Sequence, residues 1–527
     1  MKEFNTTACC IPEVHYMVDL KERVEQIKEL VDGGKYFVIN RARQYGKTTT
    51  LVALQRYLSV EYDVIFLDFQ NITASGFSGE NDFAGVLAES ICELKDSTEF
   101  PIPDDIYDQF QALEEKKPLI SDLFGILDKW CRQNPKGIVL MIDEADSASN
   151  NQVFLDFLSV LRARYIKRQM YPQYKTFQSV ILAGVTDIRY LKAKIRDDAE
   201  ARENSPWNIA ADFKVDMSLS ETGIKGMLDE YEEDHHTGMD TAAMAKLIRE
   251  YTNGYPFLVS RLCQLMDREV SRIKGISDAW TRNGFEEAVK MILTEDNTLF
   301  QTLNKNLNNS PKLKESIRSV LMEGERIPWS PDNKDIVLMR MYGLIRCENN
   351  SVRIDNRIFE SRCYNMFLSE EEMKKSVFFR EGGLARNIFV DDGKLNVRLI
   401  LERFIDTYNK VCGPLEDSFK EKDGRELFLL YLRPIINGTG NYYIEAQTRD
   451  ERRTDVIIDY LGQQYIIELK IWHGERYNAE GEKQISEYLD YFGLSTGYML
   501  SFNFNKKKEQ GVKRIEIGDR VLFEGML

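Results

Sequence analysis

Tyr36-Phe-Val-Ile-Asn40, then Arg-Ala-Arg-Gln-Tyr45, then Gly46-Lys47-Thr48-Thr49-Thr50 is the stretch that decides the fold of the first half of this 527-residue chain. A short apolar run feeds a polar loop, and a glycine, a lysine and threonines open a helical pattern over Lys47–Leu58. Strand, tight loop and helix in that order aim backbone N–H groups and the positive end of a helix at one point, which suits phosphate. Lys47 has the reach for the β- and γ-phosphates of a nucleotide, and the Thr48 hydroxyl is placed to ligate Mg²⁺. Gly46, Lys47, Thr48 and Thr49 are therefore the expected nucleotide-binding residues.

A second apolar run, Ile138-Val-Leu-Met-Ile142, ends in Asp143-Glu144. A buried strand that delivers two carboxylates suits a Walker B site, with Asp143 on the metal side and Glu144 polarising the attacking water. The pair of segments predicts binding and hydrolysis of ATP with Mg²⁺. The P-loop pattern departs from its usual form at Arg41, where a glycine normally stands, so the loop is expected to be reshaped or Arg41 to keep an ordinary backbone. Thr186, after the apolar run Val180–Val185, is placed as a γ-phosphate sensor, or as a helix N-cap. Gly254-Tyr255-Pro256 reads as a turn opening a helix, and it also resembles the short element that sits beside nucleotide in the helical lid of signal-transduction ATPases. Arg196 and Arg202 lie in a polar segment and would serve as arginine fingers if the ATPase forms a homo-oligomer; solvated surface arginines are the plainer reading.

Candidate strands at Tyr36–Asn40, Val64–Asp68, Ile138–Asp143, Val180–Val185 and Lys214–Leu219 alternate with helical patterns such as Asp122–Cys131 and Asn151–Arg168. This alternation predicts an α/β fold, a doubly wound parallel sheet over residues 1–220. Helical periodicity fills 221–297, a lid. Residues 298–373 read as a small helical module ending in a hairpin around Asn349-Asn350, which fits a winged helix. The charged stretch 374–394 reads as a linker, and 395–527 as a second α/β domain.

Composition bounds the function. The formal net charge of −15 argues against a surface coated for non-specific nucleic-acid binding, while leaving room for a local basic groove. The 8 cysteines show no zinc spacing and suit reduced thiols in a cytosol, and the 4 histidines make a histidine-rich metal site unexpected. No apolar run is long enough to span a membrane, and the N-terminus lacks the layout of a signal peptide. The expected location is cytoplasmic, without a membrane partner.

The last domain predicts helices at Asn396–Val411 and Gly424–Ile436, strands at Tyr442–Gln447, Thr454–Tyr460 and Gln464–Trp472, a helix near Glu482–Phe492, then strands at Tyr498–Phe504 and Arg514–Phe523. Asp455 begins one strand, and Glu468-Leu469-Lys470 ends the next. Residues two apart on a strand share a face, so Glu468 and Lys470 point the same way, and a short hairpin brings Asp455 beside them. Two carboxylates and a lysine on one sheet edge form a site for Mg²⁺ that activates water against a phosphodiester. Glu426 on the preceding helix would add a metal ligand, and Gln484 on the following helix would line the site. An exposed ladder of ion pairs explains Glu468 and Lys470 equally well when they are taken alone.

Glu426, Asp455, Glu468, Lys470 and Gln484, in this order, resemble the PD-(D/E)XK nuclease superfamily. Arg452-Arg453-Thr454-Asp455, Tyr465-Ile-Ile-Glu-Leu-Lys470 and Gln484-Ile485 are similar to the nuclease-like domain found behind an AAA-like ATPase domain in many bacterial proteins. Tyr16-Met-Val-Asp19, the arginine-containing P-loop and Asp143-Glu144 resemble that ATPase family, in whose P-loop Arg is common at the position of Arg41. The departure is Glu451, near a position that family often fills with glycine. The resemblance implies an ATPase whose nucleotide state controls a Mg²⁺-dependent nuclease acting on nucleic acid, DNA in the first place. Its competitor is an ATP-dependent switch or scaffold whose nuclease-like domain binds nucleic acid, or a regulatory protein partner, without cutting. The basic run Arg162–Arg168 and the cluster Lys506-Lys507-Lys508 with Lys513 and Arg514 are candidate phosphate contacts, with solvated faces as the default.

Overall fold

The computed structural model describes residues 2–98, 100–114, 117–185, 207–322, 327–367, 369, 376–384, 388–391, 393–412, 421–436, 440–445, 455–461, 463–471, 485, 489, 493–503 and 509–527. They form two compact units, the first comprising 1–230, 255–260 and 341–343, and the second comprising 231–254, 261–340 and 344–527.

In the first unit β1 (Tyr36–Asn40), β2 (Asp63–Asp68), β3 (Ile138–Asp143) and β4 (Ser179–Gly184) form a parallel sheet in the order β1-β4-β3-β2. Both faces must be covered in such a sheet, and β3 and β4 are accordingly buried along their whole length. Leu51, Leu54 and Leu58 of the helix Lys47–Leu58 join Val24, Ile27 and Val31 of the helix Lys21–Asp32 against Phe37, Ile39, Met141 and Ile181 on one face. Helices Glu80–Thr98, Ile120–Gln133 and Gln152–Met170 cover the other, packing Leu87, Phe124 and Phe157 with Tyr36, Val38, Leu140 and Ile142. The sheet is thus doubly wound. Its carboxyl edge, where β1 and β3 flank β4, is where such folds place ligands.

The expected fifth strand at Lys214–Leu219 does not form. Among the described residues its neighbourhood pairs with the sheet only through the bridge Phe37–Ala211. The carbonyls a ladder would use are taken by arginine side chains, Val215 O by Arg41 at 2.8 Å and Met217 O by Arg23 at 3.0 Å. Val215 and Met217 still fill the core, which explains the strand-like apolar pattern.

The second unit opens with helical layers that include Thr241–Thr252 and Arg282–Thr294. Helices Thr298–Asn309, Pro311–Met322 and Lys334–Met341 precede the hairpin of β5 (Ile345–Glu348) and β6 (Ser351–Ile354), and Pro328 bridges to Ser351. Asn349 and Asn350 turn the hairpin at φ 48° and 58°, the left-handed pair a type I′ turn requires. Helices followed by a two-stranded hairpin therefore occupy this stretch.

The stretch 374–394, expected as a linker, instead contains the helix Val377–Leu384, and its end pairs as β7 (Val390–Asp391) with β8 (Lys394–Leu395). Phe378 is buried, and Gly382 lies so close to the Tyr431 carbonyl that a Cβ there would stand 2.1 Å from the oxygen. The charged residues suggested a solvated strand of chain, but the apolar Val377-Phe378-Phe379 supplied a face to dock.

β9 (Gly440–Glu445), β10 (Asp455–Tyr460), β11 (Gln463–Ile471), β12 (Thr496–Phe502), β13 (Gly511–Ile517) and β14 (Arg520–Met526) form one sheet in the order β13-β14-β12-β11-β10-β9. The single strand expected over Arg514–Phe523 is two, turned at Gly518 with φ 64°. Helix Val397–Val411 packs Leu401 and Ile405 over Gly525 on one face, and Ile485 and Leu489 cover Gly497 on the other. Among the described residues no helix is long and apolar enough to cross a membrane.

Candidate functional site

Two constellations stand at strand ends, one in each unit. In the first, Gln44 at φ 57° and Gly46 at φ 75° bend the loop that follows β1, and Gly46 caps the helix Lys47–Leu58. The left-handed turns fall there, and Arg41 keeps a negative φ. The Arg41 guanidinium turns away from the loop, donates to Asn40 O at 2.8 Å and lies 5.2 Å from the centre of the Phe213 ring. An arginine therefore fits where glycine is usual because its side chain is anchored outside the cradle.

Lys47 is buried, and its Nζ donates to the loop's own carbonyls, Arg41 O at 3.2 Å and Ala42 O at 3.1 Å. Burial pushes the lysine below its ordinary pKa, against the pull of Glu144, Asp146 and Asp143. The Thr48 hydroxyl donates to Asp143 Oδ2 at 2.6 Å, while Asp143 Oδ1 accepts from the Glu144 backbone N–H at 2.9 Å. Glu144 occupies a left-handed conformation at φ 49°, and burial raises its carboxyl above the ordinary value, opposed by Lys47. A buried carboxylate and a hydroxyl in contact, both oxygen donors, fit the demands of Mg²⁺. Thr49 turns its hydroxyl elsewhere and accepts the Cys10 backbone N–H at 3.1 Å. Thr186, Arg196 and Arg202 lie outside the described residues.

Some of the neighbours of this loop were not legible in the sequence, and others were. Asp146, one turn beyond Asp143, packs against Gly184 at the end of β4, where an added Cβ would stand 2.6 Å from its Oδ1. Its place in Asp143-Glu144-Ala145-Asp146 was the available signal. A cavity of about 360 Å³ opens beside Gly46 and Thr49, lined by Asn5, Thr7, Cys10, Gln44, Met227 and Phe257 among others. That volume is in the range of small-ligand pockets. Pro256 closes over the loop, with its Cγ 3.7 Å from the position a Gly46 Cβ would take. Tyr255 donates its hydroxyl to Arg43 O at 2.5 Å and meets the Tyr45 ring edge-on at 4.8 Å. The lid element read at Gly254-Tyr255-Pro256 thus brings its last two residues to the P-loop.

In the second unit, Asp455 is the first residue of β10 and stands directly opposite Glu468 in β11. It also faces Glu445 in β9, so three acidic positions form a row across three strands. Directly opposed residues share a face with Cβ atoms about 5 Å apart. Glu468 and Lys470 are both buried, at 0% and 2% exposure, which rules out the exposed ion-pair ladder. Glu426 pairs with Arg318 at 3.5 Å. Its helix, Glu421–Ile436, approaches the sheet at Gly424, which lies flat against the Phe502 ring at the end of β12. The Asp455 side chain and Gln484 lie outside the described residues. Among the described residues no three His, Cys, Asp or Glu side chains cluster closely enough for a metal ion. The backbone register nevertheless sets Asp455 and Glu468 side by side, and their donor set is all oxygen, as Mg²⁺ requires.

The basic run on the helix Gln152–Met170 has structural work. Arg164 pairs with Asp128 at 3.1 Å, and Arg168 donates to Gln178 O at 2.9 Å and to Phe177 O. Lys513 pairs with Glu509 at 2.7 Å and Arg514 with Glu516 at 2.9 Å, all exposed; Lys506, Lys507 and Lys508 lie outside the described residues.

Comparison with known proteins agrees with this architecture. Residues 14–365 match the AAA-like domain family, and residues 441–515 match the PD-(D/E)XK nuclease superfamily. No curated protein matches. Similar solved structures include the Walker-type ATPase of Pyrococcus abyssi, 14% identical, covering 68% of this chain and 99% of that one with a TM-score of 0.47. They also include Cdc6p of Pyrobaculum aerophilum, 12% identical over 69% and 96% with a TM-score of 0.32. The ORC2 protein of Aeropyrum pernix is 12% identical over 69% and 98%, with a TM-score of 0.36. The chain belongs to the AAA-like family, and it carries a PD-(D/E)XK nuclease-superfamily domain after its ATPase domain.

Proposed function

We propose that the protein hydrolyses ATP at the P-loop, and that its nucleotide state controls Mg²⁺-dependent cutting of DNA at Asp455, Glu468 and Lys470. The observation that carries the first half is the Thr48–Asp143 contact with Lys47 and Glu144 beside it. The second half rests on the register of Asp455 with the buried Glu468.

At the ATPase site Gly46, Lys47, Thr48 and Thr49 present the helix N-terminus and the ammonium to phosphate. Thr48 and Asp143 would hold Mg²⁺, which would supply charge neutralisation to the bound nucleotide. Lys47 exchanges its bonds to Arg41 O and Ala42 O for phosphate oxygens. Glu144 orients the attacking water and accepts its proton, a role its raised pKa favours. Thr186 senses the γ-phosphate.

At the nuclease-like site Asp455 and Glu468 would hold Mg²⁺, with Glu426 as a further carboxylate on the neighbouring helix and Gln484 as the polar residue expected to contribute. When bound there, the ion would supply activation of water and stabilisation of negative charge on the phosphate. Lys470, on the same face as Glu468, donates to the scissile phosphate.

The test incubates the full chain with plasmid and single-stranded DNA and Mg²⁺, with and without ATP, beside Glu468→Ala. Glu468-dependent cutting that responds to ATP supports the reading. ATP hydrolysis without cutting in any condition replaces it with an ATP-dependent switch that binds nucleic acid or a protein partner.

A further inference from the structure

Asp459 is a carboxylate buried to 1% exposure at the far end of β10 from Asp455, and it is used by neither site. Tyr251, on the helix Thr241–Thr252, donates its hydroxyl to Asp459 Oδ2. Arg282, on the helix Arg282–Thr294, brings its guanidinium to 3.7 Å from Asp459 Oδ1. The Tyr251 ring is itself held, with Phe285 edge-on at 5.0 Å and Arg357 5.5 Å from its centre. Two helices of the AAA-like match thus grip one strand of the nuclease-superfamily match through a buried polar group.

An apolar pair would seal such a contact at least as stably. Buried polar and ionic pairs are best explained where one arrangement must be specified over its neighbours. Asp459 and Asp455 are four positions apart on β10, about 13 Å along the strand. β10 pairs with β9 and β11 over all six residues, so it is tied to both neighbours along its whole length. In the other direction, the helix Thr241–Thr252 leads directly into Tyr255 and Pro256, which pack on the P-loop.

We infer that Tyr251 and Arg282 hold β10 through Asp459 and so position Asp455, making this grip the route by which nucleotide at the P-loop acts on the nuclease-like site. The inference rests on the two-site reading proposed above and supplies its missing connection. Asp459 and Tyr251 are positioning residues; neither touches substrate.

The test is hydrogen–deuterium exchange on the full chain, with and without ATP and Mg²⁺, in wild type, Tyr251→Phe and Asp459→Asn. In wild type, nucleotide changes the exchange of the Val456–Tyr460 amides by about fivefold or more, the lower range of ordinary coupling. Tyr251→Phe loses that response while binding nucleotide as wild type does. Asp459→Asn keeps an acceptor for Tyr251 and retains the larger part of the response, which a purely structural role would not require. Equal responses in wild type and Tyr251→Phe, or no nucleotide response of β10 in wild type, overturn the inference. A β10 response that depends on Tyr251, in a protein that cuts no DNA, supports the inference and removes only the nuclease reading.

Discussion

The Thr48 hydroxyl meets the Asp143 carboxylate at 2.6 Å although 95 positions separate them in the chain. The contact exists because β1 and β3 flank β4 and end at the same edge of a parallel sheet, one delivering a helix N-terminus and the other a carboxylate. Lys47 and Glu144 are neighbours for the same reason, and each shifts the protonation of the other.

Lys47→Ala and Glu144→Gln separate binding from turnover. Removing the ammonium should weaken ATP binding at least about tenfold, a loss of roughly 1.4 kcal/mol. Glu144→Gln should leave affinity within a few-fold and lower kcat by about 10²–10⁴, the usual contribution of a general base. Fluorescent-nucleotide titration and phosphate release measure the two quantities. Wild-type turnover in Glu144→Gln would remove Glu144 from the mechanism.

The raised pKa of Glu144 has two consequences with worked signs. Folding favours its protonated form, so its contribution to stability is full below the ordinary value of 4.5 and is lost as pH rises through the folded value. Glu144→Gln should therefore melt higher than wild type at pH 7.5 in the absence of nucleotide, with the difference vanishing on acidification to pH ~4. Hydrolysis needs the ionised form, so kcat should begin to fall at a higher pH than an ordinary carboxylate would give. A variant that melts at or below wild type at pH 7.5 contradicts the burial argument.

Glu468→Ala should reduce DNA cutting by about a hundredfold or more, the scale set by losing a group that stabilises transition-state charge. ATP hydrolysis should be unchanged, because Glu468 belongs to the second unit. Asp455→Asn should behave alike, and chelation of Mg²⁺ should silence both sites. Gel assays on plasmid DNA and phosphate release distinguish these outcomes; undiminished cutting in either variant would relocate the site.

Gly382→Ala tests whether the helix Val377–Leu384 is docked as described. Its Cβ would stand 2.1 Å from the Tyr431 carbonyl oxygen, and a backbone atom cannot rotate away. The expected cost is about 3 kcal/mol, read as a fall of roughly 5 °C or more in Tm. Exposed Gly493, with no neighbour within 4 Å but φ 65°, separates backbone strain from collision when it too is changed to alanine. Equal small shifts at both positions would mean that 377–384 is not packed on Tyr431.

Local pattern was enough where an element's role is carried by neighbours in the chain. The helix Lys47–Leu58 and strands β1 and β3 begin and end where their residues imply, because apolar runs, Gly46 and the Asn349-Asn350 turn are short-range instructions. The same holds for Glu468 and Lys470, whose shared face follows from strand alternation alone. Lys214–Leu219 shows the limit. It has the apolar alternation of a strand, but Arg23 and Arg41 compete for its carbonyls from elsewhere in the fold.

What the amino-acid order determined by itself was two domains and their two sets of candidate chemical groups, since motif spacing and residue type are properties of the chain. What the tertiary structure decided was which of those groups meet. Pro256 over Gly46, Asp146 under Gly184, Glu445 in register with Asp455, and Tyr251 on Asp459 are long-range contacts. Each depends on how helices and strands pack across one another, and packing is chosen by the summed burial of many side chains rather than by any pattern visible along a single segment.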